Sequence, residues 1–345
     1  MTTVAVAMSG GVDSSVAAGI LKDEGYNVIG ITMQVLDAEN TFADQALTAR
    51  QVAEMLGIPF HVIDLRDVFH NRVVADFCNN YCAGRTPNPC IRCNYYVKFG
   101  ALLNEVREQG ADLMATGHYV RILKEDTRWV LCRGLDLAKD QSYFLYKLTQ
   151  SQLGQVLMPL GELTKEKVRS IARDWRFPAT EEKESQEVCF IPDGDYRAFV
   201  TAQRPGVSRP GPIENRRGDI LGEHSGIINY TIGQRRGIGI AAEYPLYVVD
   251  IDVQRKAIIV GSQDEIYRSE LTATEVNWTG GEPPSQPIEA EAKIRYSHPP
   301  ARAKLFPLDD SNVRLAFAQP QMAITPGQAV VFYEGEKLLG GGTIE

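Results

Sequence analysis

The stretch Val4-Ala5-Val6-Ala7-Met8-Ser9-Gly10-Gly11-Val12-Asp13-Ser14-Ser15 decides the fold. A short apolar run ends in Ser-Gly-Gly and passes into a helical pattern from Ser14 to Leu21. Strand, tight turn and helix start together make an anion site. The glycines let the backbone approach phosphate oxygens, the hydroxyls donate, and the helix N-terminus adds positive potential. No Lys follows the glycines, so this is not the Gly-x4-Gly-Lys-Ser/Thr loop. It is not Gly-x-Gly-x-x-Gly either, which argues against a dinucleotide oxidoreductase.

Working outward, Lys22-Asp23-Glu24-Gly25 closes the helix and Asn27 to Met33 reads as a second strand. An alanine-rich helix over Thr41 to Leu56 follows, then a strand over Phe60 to Leu65. Val97 to Gln109 is expected to be a helix and Asp112 to Thr116 a strand. Short apolar strands alternating with helices predict a parallel sheet covered on both faces. The expected fold class is therefore α/β over residues 1–200. The pattern then changes. Residues 204–240 are rich in Pro, Gly and Arg, and 245–260 read as a hairpin. From 268 onward, short alternating runs separated by turns such as Thr325-Pro326-Gly327 predict a small all-β barrel or sandwich. This gives three expected domains: 1–200, a central β-containing domain at 201–265, and a C-terminal β-barrel at 266–345.

The chain has 345 residues, 44% of them hydrophobic, which suits a folded protein of two or three domains. It contains no run of about 18 apolar residues. Met1-Thr2-Thr3-Val4 has no basic stretch ahead of an apolar one, so a cytoplasmic location is expected. The net charge of −8 excludes a simple basic coat protein for nucleic acid. A local basic patch remains: residues 201–240 carry six arginines, among them Arg235 and Arg236, against three acidic residues.

Six cysteines stand at 78, 82, 90, 93, 132 and 189. In a cytosolic chain, free, catalytic or metal-binding thiols are expected rather than disulfides. Cys78, Cys82, Cys90 and Cys93 could form a four-cysteine zinc site. Against that, the Cys82–Cys90 interval is short and contains two prolines, and Cys78 and Cys82 sit at helical positions. Both read as small buried hydrophobes, and so does Cys132. Sulfur chemistry needs one cysteine to carry sulfur and a second to resolve it. Cys93, in Pro87-Asn88-Pro89-Cys90-Ile91-Arg92-Cys93, and Cys189, in Glu187-Val188-Cys189-Phe190-Ile191, are the candidates.

The Ser9–Ser15 loop resembles the PP-loop of the N-type ATP pyrophosphatases, which adenylate a carbonyl oxygen and release pyrophosphate. Further strings narrow the resemblance: Gly84 to Cys93, Ala115-Thr116-Gly117-His118-Tyr119, Lys139-Asp140-Gln141-Ser142-Tyr143-Phe144-Leu145, Cys189-Phe190-Ile191, Thr231 to Gly237, Arg295-Tyr296, Thr325-Pro326-Gly327-Gln328 and Gly340 to Glu345. With these, the chain resembles the bacterial tRNA-uridine 2-sulfurtransferase (tRNA-specific 2-thiouridylase) family over nearly its full length. The resemblance implies an adenine nucleotide α-hydrolase-like first domain. It also implies ATP-dependent 2-thiolation of the wobble uridine of tRNA, with Mg2+ as cofactor and a cysteine desulfurase or sulfur-relay protein as donor. It assigns ATP contacts to Ala7, Met8, Ser9, Gly10, Gly11, Val12, Asp13, Ser14, Met33 and Gly117, with Asp13 holding magnesium or ordering the loop. Cys93 would be the nucleophile and Cys189 the persulfide carrier, with a Cys93–Cys189 disulfide after transfer. Asn88, Pro89 and Cys90 would lie against the target base. His118, Lys139, Asp140, Gln141, Arg295, Tyr296 and Gln328 would touch tRNA.

Many members of that family carry Asp where this chain has Cys90. A carboxylate role at this position is thereby put in doubt. Cys90, Cys93 and Cys189 together could instead hold three irons of a [4Fe–4S] cluster, leaving the fourth iron to bind sulfide. Two other classes share single features. A PP-loop amide synthetase or tRNA lysidine-type ligase would not need the paired cysteines, and a zinc-stabilised RNA-binding protein would not consume ATP.

Overall fold

The first strands are short and apolar because both of their faces are covered. In the computed structural model, which describes residues 1–37, 41–178, 188–191 and 193–345, the first domain contains β1 (Thr3–Ala7), β2 (Asn27–Gln34), β3 (Phe60–Asp64) and β4 (Leu113–Ala115). A hairpin of β5 (Val120–Glu125) and β6 (Arg128–Arg133) follows, then β7 (Val156–Leu157). All but the hairpin pair in parallel, in the order β3-β2-β1-β4-β7. Alternate residues of β1 enter different cores, as the two-residue period of a strand requires. Val4 and Val6 pack with Val16, Ala17 and Val168 on one face, while Ala5 packs with Ile31 and Met114 on the other.

The first three strands and the helices α1 (Val12–Asp23) and α2 (Thr41–Leu56) lie where the sequence pattern puts them. One helix differs. Expected from Val97, it starts at Pro89 and runs to Glu108. Its middle, Cys93–Leu102, is π-helical, with Pro89 in the first turn, where a missing N–H is harmless.

The central domain pairs β8 (Gly211–Asn215), β9 (Ile220–His224), β10 (Tyr247–Asp252) and β11 (Ala257–Gly261) in the order β10-β11-β8-β9. The expected hairpin is β10–β11. The last domain has β12 (Tyr267–Trp278), β13 (Ile288–Lys293), β14 (Ala301–Pro307), β15 (Val313–Met322), β16 (Ala329–Glu334) and β17 (Lys337–Ile344). They run β12-β15-β14-β13-β16-β17, and a β12–β17 pairing closes the barrel. Closure resolves the choice between barrel and sandwich. Leu271, Ala292, Leu305, Leu315 and Phe332 fill the interior.

The β5–β6 hairpin leaves the first domain's sheet and joins the barrel, with Cys132 beside Lys337 of β17. Arg121 reinforces this junction through an ion pair with Glu336 at 2.7 Å. Among the described residues, no helix is long and apolar enough to cross a membrane.

Candidate active site

In an open parallel sheet, ligands sit beyond the carboxyl ends of the strands, where the strand order reverses. Here the chain crosses from β1 to β2 on one side and later adds β4 on the other. The loops after β1 and β4 therefore flank one crevice. After β1, Gly10 takes φ +81° with its Cα against the backbone of Gln45, so a side chain there would meet both strain and clash. Ser14 and Ser15 hydroxyls both donate to the Gly11 carbonyl, at 3.1 and 3.0 Å, and Ser9 N–H donates to Ser14 Oγ. After β4, Gly117 lies so close that a Cβ would stand 2.8 Å from Asp13 C and Ser14 N. Met8 is buried, while Met33 is half-buried at the end of β2. The two expected nucleotide-binding segments thus touch.

Asp13 does not face open solvent alone. Lys165, nearly buried at the start of the helix Lys165–Asp174, donates to both its carboxylate oxygens at 2.8 and 2.7 Å. Tyr119 OH donates to Asp13 Oδ1 at 2.7 Å. These bonds tie the Asp13 carboxylate to two residues outside the loop. Lys165 was marked by no sequence motif, whereas Tyr119 closes the Ala115–Tyr119 string. Lys165 lies far along the chain, and only its Thr164 helix cap announces the helix.

The thiols form a second group. Cys90 and Cys93 occupy the first turns of the helix that starts at Pro89. Cys189 is held by Phe190, whose ring packs edge-on against Phe69 and Phe77 at 5.5 and 5.3 Å. Cys90 and Cys189 keep exposed surface and Cys93 is half-buried. All three lie within electrostatic reach of one another and of Lys98. Desolvation by the surrounding protein pushes the Cys93 thiol up to about 12, against the pull of Lys98. It raises Cys90 and Cys189 as well. Among the described residues no carboxylate pairs with Lys98. Five residues after Cys93, it stands one π-helical turn along. π-Helical insertions concentrate at functional sites, but a 3.6-residue period cannot reveal one.

His118 links the two groups. It follows Gly117 directly, its Nδ1 lies 2.7 Å from Thr116 Oγ1, and its ring sits 5.8 Å from Phe99. Burial, and secondly Lys98, lower its pKa well below the usual value of 6.5, so it is neutral.

Asn88, Pro89 and Cys90 follow a loop on which all three domains converge. Barrel residues grip it: Thr86 N–H donates to Pro326 O, and Gln328 Nε2 donates to the carbonyls of Thr86 and Pro87 at 2.9 and 3.3 Å. From the central domain, Thr231 Oγ1 lies 3.2 Å from Thr86 Oγ1. Gln328, expected at tRNA, thus spends its amide on this loop. Arg295 is similarly occupied, with Nη2 donating to Thr325 Oγ1 at 2.7 Å and to the Ala323 carbonyl. Asp140 is buried and accepts from Gly134 N, Ser142 N and Ser142 Oγ, which closes its own turn. Gln141 Oε1 accepts from Tyr119 N. Tyr296 keeps 38% exposure and packs on Phe144 at 4.5 Å. Lys139 is half-buried in the same turn. Arg235 and Arg236 are exposed on the central domain.

Among the described residues, no three His, Cys, Asp or Glu side chains are grouped to hold a metal ion. The four-cysteine zinc set is not assembled. Cys78 is buried on the helix Ala75–Cys82, as expected for a core position, and Cys132 is buried too. Among the described residues, Cys90, Cys93 and Cys189 are near one another without being grouped as metal ligands. Residues 185–187 of the expected Cys189 motif lie outside the described residues.

Family models match residues 2–193 as a tRNA methyl transferase HUP domain, 198–262 as a tRNA methyl transferase PRC-barrel domain and 268–344 as an aminomethyltransferase beta-barrel domain. The chain is 48% identical to the tRNA-specific 2-thiouridylase MnmA of Geotalea uraniireducens, over 99% of this chain and 94% of that one. It is 47% identical to the protein of the same name from Magnetococcus marinus, over 99% and 98%. For Halothermothrix orenii the figures are 45%, over 100% and 99%. With likeness at this level from end to end, the chain belongs to the tRNA-specific 2-thiouridylase family.

Proposed function

We propose that this protein is an ATP-dependent tRNA-uridine 2-sulfurtransferase acting on the wobble uridine. The uracil C2 carbonyl is a poor electrophile and its oxygen a poor leaving group. ATP answers both difficulties. Uridine O2 attacks the α-phosphorus and pyrophosphate leaves, its charge met by the loop Ser9–Ser14 and by Mg2+ arriving with the nucleotide. Sulfur then attacks C2 and AMP departs. Cys189 carries the incoming sulfur as a persulfide from a cysteine desulfurase or relay protein. Cys93 attacks Cys189 Sγ, a Cys93–Cys189 disulfide forms, and hydrosulfide is released next to the activated base. A thiol reductant resets the pair.

What supports this reading is that Cys93 and Cys189 lie within electrostatic reach of each other, and that His118, next to Gly117 of the crevice, packs near Phe99 of the helix carrying Cys93. The target base must leave its stack to enter, as single-stranded loop bases do in RNA recognition. Asn88, Pro89 and Cys90 supply the surface beside it, and Lys139, Tyr296, Arg235 and Arg236 offer contacts to the RNA. Asp140, Gln141, Arg295 and Gln328 act mainly by shaping that surface. The three-domain division suits this: the first domain activates, and the other two carry the tRNA. The cysteines need no metal on this route.

The test is anaerobic sulfur transfer to unmodified tRNA with ATP and Mg2+, with 2-thiouridine quantified by mass spectrometry. Metal-free enzyme given a persulfide donor is expected to form product. Product only from cluster-reconstituted enzyme given sulfide would replace the persulfide route with cluster chemistry. ATP cleavage to AMP without any 2-thiouridine would favour a ligase instead.

A further inference from the structure

Arg92 immediately precedes Cys93, and its side chain reaches across to the barrel. Its Nη2 lies 3.0 Å from Glu275 Oε2 and its Nε 3.4 Å from Asp76 Oδ2. The same Glu275 oxygen receives Lys147 Nζ at 2.7 Å and the Thr343 hydroxyl at 3.3 Å. The cysteine helix, the segment after Phe144 and two barrel strands therefore converge on one carboxylate. The cations are mostly enclosed, with Arg92 and Lys147 side chains only 16% and 10% exposed. A cavity of about 20 Å³ lies beside them, lined by Asp76, Asn88, Arg92, Lys147 and Thr343, with room for about one water.

The barrel is bent to make this contact. Glu275 has φ +49°, in the left-handed region that residues with a Cβ seldom occupy. It sits where the β12–β17 register slips between Thr274 and Asn277. A bulge re-aims a side chain, and an unfavourable backbone persists only where its surroundings over-determine it. Burial alone would raise the Glu275 carboxyl, but Lys147 and Arg92 override it and hold the group at about 2. It is therefore ionised at every working pH. Removing this carboxylate, itself 48% exposed, would leave the enclosed Lys147 without it and Arg92 with Asp76 alone.

We propose that Glu275 is a positioning residue. Through Arg92 it ties the barrel to the helix that begins at Pro89, and so sets the orientation of Cys93 and Asn88 at the reacting base. Seating tRNA on the barrel and aligning the thiol are then mechanically one event. The inference rests on the role proposed above for Cys93.

The test compares wild type, E275Q and E275D in full-length protein. Two readouts are used: steady-state 2-thiouridine formation, and the alkylation rate of each cysteine with iodoacetamide, resolved by peptide mass spectrometry. E275Q is expected to lower kcat on the order of tenfold while KM for ATP and for tRNA stay within about twofold. Its Cys93 alkylation rate is expected to change severalfold while buried Cys78 and Cys132 remain protected. E275D, which keeps the charge, should recover part of both, and it carries the test alone if E275Q does not fold. Unchanged kcat and Cys93 reactivity in the folded variants would overturn the proposal. So would parallel exposure of Cys78 and Cys132, the mark of general loosening. Wild type that makes no 2-thiouridine would sink the functional reading instead, and the alkylation comparison would still report on Glu275.

Discussion

Lys165 Nζ donates to both carboxylate oxygens of Asp13, at 2.8 and 2.7 Å, across 152 positions of chain. The Lys165 side chain is 7% exposed and that of Asp13 31%, so the pair is sheltered on one side only. Removing Lys165 leaves a partly enclosed carboxylate at the point where the proposed function brings in phosphate charge. K165M is expected to destabilise the first domain by about 2 kcal/mol and to weaken ATP binding severalfold. D13N, which keeps the shape, should disturb stability less but still loosen the loop. Calorimetric titration with ATP and urea unfolding of both variants check the pair. Unaltered ATP affinity in both would show that the ion pair is structural alone.

Gly117 offers a sharper steric test. A methyl group there would collide with Asp13 and Ser14 backbone atoms that cannot swing away. G117A is expected to cost about 1–3 kcal/mol in the first domain and to abolish ATP binding, because the loop must shift to make room. The barrel lies elsewhere and should keep its β-sheet circular dichroism. Nucleotide binding measured by fluorescence of an ATP analogue decides it, and a variant that binds ATP normally contradicts the crevice assignment.

Lys98 opposes the rise that burial imposes on Cys90, Cys93 and Cys189. K98M removes that opposition. The thiols should then ionise at still higher pH, and the curve of Cys93 alkylation against pH should move upward. Activity should fall most steeply at the acid end of the profile. An unmoved alkylation curve would mean that Lys98 serves packing only.

His118 titrates in the opposite sense. Its folded pKa lies well below 6.5, so the unfolded chain binds a proton that the folded chain refuses. Its contribution to stability is complete above about pH 6.5 and is lost as pH falls below that value. H118N should flatten the loss of stability between about pH 6.5 and pH 5, as followed by urea midpoints across that range. A wild-type midpoint that is level over the same interval would exclude a buried neutral imidazole at this position.

Much of the first domain was legible because its signals are local. Val4–Ser15 spells strand, loop and helix within twelve consecutive residues, and α2 follows the spacing of its alanines. The candidate cysteines Cys93 and Cys189 could be picked out by motif. The helix carrying Cys90 and Cys93 could not be bounded, because Asn88-Pro89 reads as a loop signal although Pro89 serves as an opening residue of the helix. The partners of the site were illegible for a different reason. Lys165 with Asp13, and Arg92 with Glu275, are joined only by tertiary packing, and a single charged residue carries no periodic mark. The bond from Gln328 to Thr86 spans 242 positions, so no local pattern could show that this residue, expected at RNA, also holds protein backbone.

The β5–β6 hairpin has a consequence for how the chain comes into being. Arg121 and Glu336, which meet at its junction with the barrel, are separated by 215 positions. On the ribosome the hairpin emerges long before the strand that will cover it, and it waits with one edge bare. Domains synthesised from the N-terminus usually settle one after another. Here the outer edge of the hairpin is expected to stay unpaired until Lys337–Ile344 has been made. Nascent chains of this protein should therefore present a sticky β-edge for most of translation, which is the kind of surface that chaperones hold and neighbouring chains capture.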